Sequence, residues 1–177
     1  MKKILVIVCI IIVFLILYFL QSNFFSWFNI FGIKPNLFII FSLILGLFLG
    51  KEYGIALGVL LGIILDLFIS KRIGINAITL GAIGGIAGIL AKNFSREHRF
   101  TLILITIGLT LLGEIINYIL ILATGQGEVQ IIAFIKILLI EVLYNTLIII
   151  IAYPICQKGG QLIERVLIED KRFIKYF

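Results

Sequence analysis

Residues 35–88 read PNLFIIFSLILGLFLGKEYGIALGVLLGIILDLFISKRIGINAITLGAIGGIAG, and this stretch decides the fold. Ten of the 17 glycines of the chain lie between Gly46 and Gly88. Gly46 and Gly50 are four apart on one apolar run, Gly54, Gly58 and Gly62 continue the period on the next, and Gly81, Gly84, Gly85 and Gly88 line a third. Small residues at every fourth position let helix backbones approach closely, which is how helices embedded in lipid gain contact without a hydrophobic drive. The three runs are therefore expected to be tightly packed helices. The pattern leaves open whether their neighbours belong to this chain or to a partner.

Working outward, apolar runs recur along most of the 177 residues: Ile4 to Leu20, Asn36 to Gly50, Tyr53 to Ile69, Ile75 to Ala91, Phe100 to Ala123 and Ile131 to Ile155. Hydrophobic residues make up 62% and charged residues 14%, and mean hydropathy is +1.26. A soluble domain carries about 45–50% and about 25% respectively, so this surface belongs in lipid. Soluble enzymes, disordered tails and disulfide-stapled secreted domains are excluded. The expected fold class is all-α: a polytopic six-span helical bundle over residues 1–156, followed by a cytoplasmic tail over 157–177. The run Asn36 to Gly50 is short, about 22 Å at the helical rise against a hydrocarbon core of about 30 Å, and reads as a crossing of thinned bilayer or as a half-span. The first run has 17 residues and no small-x-small site before Gln21, Ser22 and Asn23, so it reads as an uncleaved helix rather than a signal peptide.

With six spans, eleven Lys and Arg fall on the side of the N terminus: Lys2, Lys3, Lys51, Lys92, Arg96, Arg99, Lys158, Arg165, Lys171, Arg172 and Lys175. Lys34, Lys71 and Arg72 are the three on the other side. By the positive-inside rule both termini are expected in the cytoplasm. The formal charge of +6 is thus topological, and no basic patch with interleaved aromatics suggests nucleic acid. Between the first two runs, Phe24, Phe25, Trp27, Phe28 and Phe31 read as a segment at the external headgroup boundary, or as a binding loop. Pro35 sits where a helix can begin without losing a hydrogen bond. After Gly159 and Gly160, the apolar residues Leu162, Ile163, Val166 and Leu167 recur at helical spacing, giving an amphipathic tail that lies on the inner leaflet or docks a cytosolic partner.

Four ionisable residues interrupt the runs: Asp66, Glu114, Lys136 and Glu141. In hydrocarbon each must face protein, a wet cavity or a partner. Asp66 reads as a carboxylate capping a neighbouring helix or pairing with Lys71 or Arg72. Glu114 is followed at i+3 and i+4 by Asn117 and Tyr118, and Glu141 by Tyr144 and Asn145, so each trio occupies one helix face. Both glutamates lie about 14–15 Å from the external ends of their spans, in one layer. Close carboxylates in low dielectric do not both ionise easily, so at least one is expected to be protonated or bridged by Asn117 or Asn145. Such a layer can bind a cation or polar solute, relay protons, or lock helices by buried hydrogen bonds.

Catalytic patterns are missing, and neither an enzyme nor any cofactor or metal site is expected. His98, the single histidine, sits among Arg96 and Arg99; no serine occupies a nucleophile elbow. Gly46 to Lys51 has three residues between its glycines and Glu52 in the hydroxyl position, which is not a phosphate loop. Cys9 and Cys156 have no metal or redox spacing and read as small apolar residues.

Pro35, Asn36 and Leu37 opening a short span, then Gly50, Gly54, Gly58 and Gly62, then Leu65 and Asp66, and after a polar break Gly74, Ala77 and Leu80, resemble the central signature of the MreD family of bacterial rod-shape membrane proteins. That resemblance implies a non-enzymatic role in cell elongation at the bacterial cell membrane. It implies partners as well: a bitopic MreC-like protein, and with it MreB, RodA and a penicillin-binding protein, or a second copy of the chain. On this reading the glycine faces, Gly81, Gly85 and Gly88 included, and the intramembrane polar residues supply contacts to MreC or that second copy, and Asn36 and Asp66 occupy the family's functional positions.

The same outline is also similar to the substrate-binding S components of energy-coupling-factor transporters, the rival reading. S components dock through an A-x-x-x-A pattern on the first helix. Residues Ile4 to Val13 here contain no Ala or Gly. A small sensor or chaperone is a third reading.

Overall fold

A computed structural model describes residues 2–69, 73–91, 99–125 and 130–164. The loop cations Lys71, Arg72, Lys92 and Arg96, together with His98 and the tail beyond Glu164, lie outside the described residues. The described chain is helical. Helix α1 spans Lys2–Phe19 and runs through a π-helical turn, Leu20–Phe24, into a single further turn, α2, Phe25–Trp27. Then follow α3 (Leu37–Leu49), α4 (Lys51–Ile69), α5 (Ile75–Leu90), α6 (Arg99–Ala123) and α7 (Ile131–Glu164). Three segments are long and apolar enough to cross a membrane, Val6–Trp27, Arg99–Ala123 and Ile131–Ile155; Leu37–Leu49 and Ile75–Leu90 are shorter apolar helices.

The short helix α3 is the centre of the molecule. Every one of its 13 residues except Ile44 is buried, and α4, α5, α6, α7 and α1 all touch it. A helix apolar all round suits either a protein core or lipid, and here its neighbours enclose it on nearly every side. Phe14 of α1 reaches it with ring centroids 5.3 Å from Phe38.

The glycines have their neighbours inside the chain. A Cβ placed on Gly54 or Gly46 would run into the Gly84 carbonyl oxygen, one on Gly58 into that of Leu80, one on Gly62 into the backbone of Asn76 and Ala77, and one on Gly88 into the backbone of Lys51. Helices α3, α4 and α5 thus meet backbone to backbone. Ser42 tightens the seam, its hydroxyl donating to Leu80 O at 2.7 Å. At Gly50 φ is +84°, which lets the chain reverse between α3 and α4 with no intervening loop.

Helices α1 and α7 are peripheral. Each buries one narrow stripe, Val6, Ile10 and Phe14 on α1 and Glu141, Asn145, Ile149 and Tyr153 on α7, while most of the other described side chains are apolar and exposed or half-buried. Helix α7 contains Pro154 and continues past Ile155, where the last span is expected to end, through Gly159 and Gly160. Gly160 lies against the Phe48 ring, so the first residues assigned to the tail extend the bundle helix.

Candidate functional site

Three polar constellations gather many of the charged and amide side chains of the described bundle. The first closes the α4–α5 connection. Asp66 is completely buried, and its carboxylate accepts from Gly74 N at 2.8 Å, Asn76 N at 3.2 Å, Ala77 N at 3.3 Å and Asn76 Nδ2 at 2.7 Å. Those amides open α5 and have no carbonyl partner within their helix. A carboxylate there also meets the positive end of the helix dipole. Gly74, at φ +111°, turns the chain so that its own N–H points into this cap. The capping reading of Asp66 is what the geometry has.

The second constellation surrounds the start of α3. Asn36 caps that helix, its Oδ1 accepting from Ile39 N at 3.3 Å, while its backbone N–H donates to Asn145 Oδ1 on α7 at 2.8 Å. Asn36 Nδ2 donates to Glu114 Oε1 on α6 at 3.5 Å, and Asn145 Nδ2 donates to Thr110 Oγ1 at 3.3 Å. Leu37 N donates to Gln21 Oε1 at 2.9 Å. Glu114 and Glu141 are close neighbours across α6 and α7, in the shared layer expected from their register. Both are buried, and Glu141 Oε1 finds no donor among the described residues. The amide that reaches the acids is Asn36, where Asn117 or Asn145 was expected, because α3 begins at their depth. Asn117 takes no part in these bonds.

The third constellation lies nearer the start of α7. Residues 28–36 are non-helical backbone beside membrane-length helices, and such backbone is stable only with its polar groups paired. Ile30 and Ile33 exchange two N–H···O bonds of 2.9 Å across a two-residue turn at Phe31 and Gly32. Gly32 N donates to Asn29 Oδ1 at 3.0 Å, and Lys34 Nζ to Ser26 Oγ at 2.7 Å. Two α7 side chains hold this hairpin: Tyr144 OH donates to Phe28 O, and Lys136 Nζ lies 5.2 Å from the Phe31 ring centre. Tyr118 stacks on Phe134 with centroids 4.1 Å apart. The polar residues of the two trios, with Lys136, therefore divide. Glu114, Glu141 and Asn145 form the inner cluster, and Lys136 and Tyr144 anchor the aromatic hairpin. Pro35, fully buried, lies between hairpin and α3.

Gln21, Thr110 and Ser42 were not singled out from the sequence. Thr110 carries a readable signal, being four residues before Glu114 on the same face. Gln21 carries none, since a polar residue ending an apolar run reads as loop. Among the described residues no three His, Cys, Asp or Glu side chains gather as a metal site. The polar groups chiefly fasten helix ends to other helices, and the glycines expected at a partner interface are mostly consumed within the chain.

A family-level comparison matches residues 1–159 to rod shape-determining protein MreD. No curated protein and no solved structure matches the chain. A match over nine-tenths of the sequence, with the Asn36 cap and the Asp66 cap both built as working parts of the fold, leads to one conclusion: the chain belongs to the MreD family of rod shape-determining membrane proteins.

Proposed function

We propose that this protein is a non-enzymatic scaffold of the bacterial elongation machinery, a six-span protein of the cell membrane that binds an MreC-like bitopic partner and so supports peptidoglycan synthesis by RodA and a penicillin-binding protein near MreB. The observation that carries this reading is the internal commitment of the polar side chains. Asp66, Asn36 and Asn145 spend their hydrogen bonds on caps and crossings. Residues so committed hold a shape; they do not turn over a substrate. With the glycine seams closed inside the bundle, the surface offered to a partner is the exposed apolar flank of α1, α6 and α7.

The orientation with both termini in the cytoplasm is supported by where the basic residues gather. Lys51 abuts Gly88 at the end of α5, Arg99 lies over the Tyr153 ring at 5.1 Å, and Lys158 follows on α7 near the Phe48 contact of Gly160, so the three share one end of the bundle. Depleting the protein in a rod-shaped host should round the cells, and crosslinking in native membranes from α1 or α7 should capture MreC. Unchanged rods, or capture of an energy-coupling subunit with a retained small molecule, would displace this reading in favour of transport.

A further inference from the structure

The outer face of α4 and α5 carries an apolar trough of about 340 Å³ that runs along α5 from Ile78 past Ala82 to Ile89, with Lys51 as its one charged lining residue. Two facts about its floor decide what can occupy it. A Cβ on Gly81 would meet Val59 Cγ2 at 2.6 Å, and one on Gly85 would meet Ile55 Cγ1 at 2.7 Å. The glycine surface is therefore already covered by α4 side chains, and a partner helix cannot lay its backbone there in the manner of small-residue helix pairs. What remains is a channel for something thin and flexible.

Its length and its single charge narrow the choice. From Ile78 to Ile89 the helix rises about 16 Å, and one leaflet of a hydrocarbon core about 30 Å thick spans about 15 Å. Lys51 marks the Gly88 end of the trough, since its backbone packs on that glycine, and its side chain is exposed. Glu52, next in sequence, does not line the trough. An apolar channel one leaflet long, closed by one exposed cation at the end where Arg99 and Lys158 also lie, is complementary to an amphipath with one negative head. We infer that this trough is a binding site for a single anionic phospholipid, one acyl chain lying between α4 and α5 and the phosphate at Lys51.

Native mass spectrometry of the full chain, purified in detergent with phosphatidylglycerol or phosphatidylcholine of equal chain length, tests this. The wild-type chain should keep one phosphatidylglycerol, preferred about fivefold over phosphatidylcholine, the factor expected for one lysine near an anionic head. Lys51→Gln should abolish the preference and Lys51→Arg should retain it, while Lys136→Gln, remote from the trough, should change nothing. Ala82→Leu, which fills the channel, should lose both lipids while eluting as the wild type does. Equal retention of the two lipids by the wild-type chain, retention indifferent to Lys51→Gln, or a photocrosslinker at position 82 that captures a protein helix would each overturn the proposal.

Discussion

The backbone N–H of Asn36 donates to the side-chain oxygen of Asn145 at 2.8 Å across 109 positions of sequence. This bond ties the first residue before α3 to the middle of α7, and Asn145 in turn holds Thr110 of α6. One asparagine thereby joins three helices. Asn145→Ala would leave a buried backbone donor and a threonine hydroxyl without partners, and should destabilise the protein by about 1–3 kcal/mol. Thr110→Val, which removes only an acceptor for Nδ2, should lose less, about 0.6 kcal/mol as for an average side-chain bond in a membrane protein. Reversible unfolding in mixed micelles measures both, and the Asn145 variant should be clearly the weaker.

Asp66 serves three backbone donors and one side-chain donor at once. Asp66→Ala should cost about 2 kcal/mol, the upper range for losing a helix N-cap. Asp66→Asn retains one acceptor oxygen and should recover roughly half of that. If Asp66→Ala unfolds at the wild-type midpoint, the cap is not what keeps this acid in the signature.

Glycines of the bundle should divide sharply by position. Gly54→Ala drives a methyl group into the Gly84 carbonyl and should destabilise by at least about 1–3 kcal/mol, because backbone on both sides leaves no side chain to yield. Gly108 lies on the exposed side of α6 with nothing near its Cβ position, and Gly108→Ala should stabilise by about 0.5–1 kcal/mol through helix propensity alone. The paired thermal midpoints should move in opposite directions.

Trp27 is the only tryptophan and is 89% exposed, beside a hairpin with Phe31 80% exposed. Rings in such a setting belong at the headgroup boundary. Trp27 fluorescence in vesicles should be quenched more by spin labels near the headgroup than by labels deep on the acyl chain. Lys136→Met removes the cation facing Phe31 and should loosen the hairpin by only about 0.5–1 kcal/mol.

The sequence displayed the helical elements because apolar runs bounded by charge have one stable form in lipid, and it displayed the shared depth of Glu114 and Glu141 because helical rise is constant. The central position of α3 was not legible: a run as uniformly apolar as Leu37 to Leu49 suits lipid as well as a protein core, and the likewise apolar α1 is largely exposed. The partners of Asn36 were not legible. Asn145 and Glu114 meet it only through tertiary packing, and no local pattern pairs residues so far apart. The small-residue period announced close packing without naming the partner, and the backbone contacts of Gly84 and Gly88 supplied that answer.

Under the proposed function, the buried acids serve as hydrogen-bonding parts of a shape-determining scaffold. Complementation of a depleted rod-shaped host by the double variant Glu114→Gln, Glu141→Gln tests this most directly, since the amides keep the shape and bonding capacity of the side chains but carry no charge and no proton to relay. Cells should remain rods, while the Glu114→Leu, Glu141→Leu pair should round them. Round cells with the Gln pair, at wild-type protein levels, would contradict the account and assign those carboxyl groups a charge-dependent task.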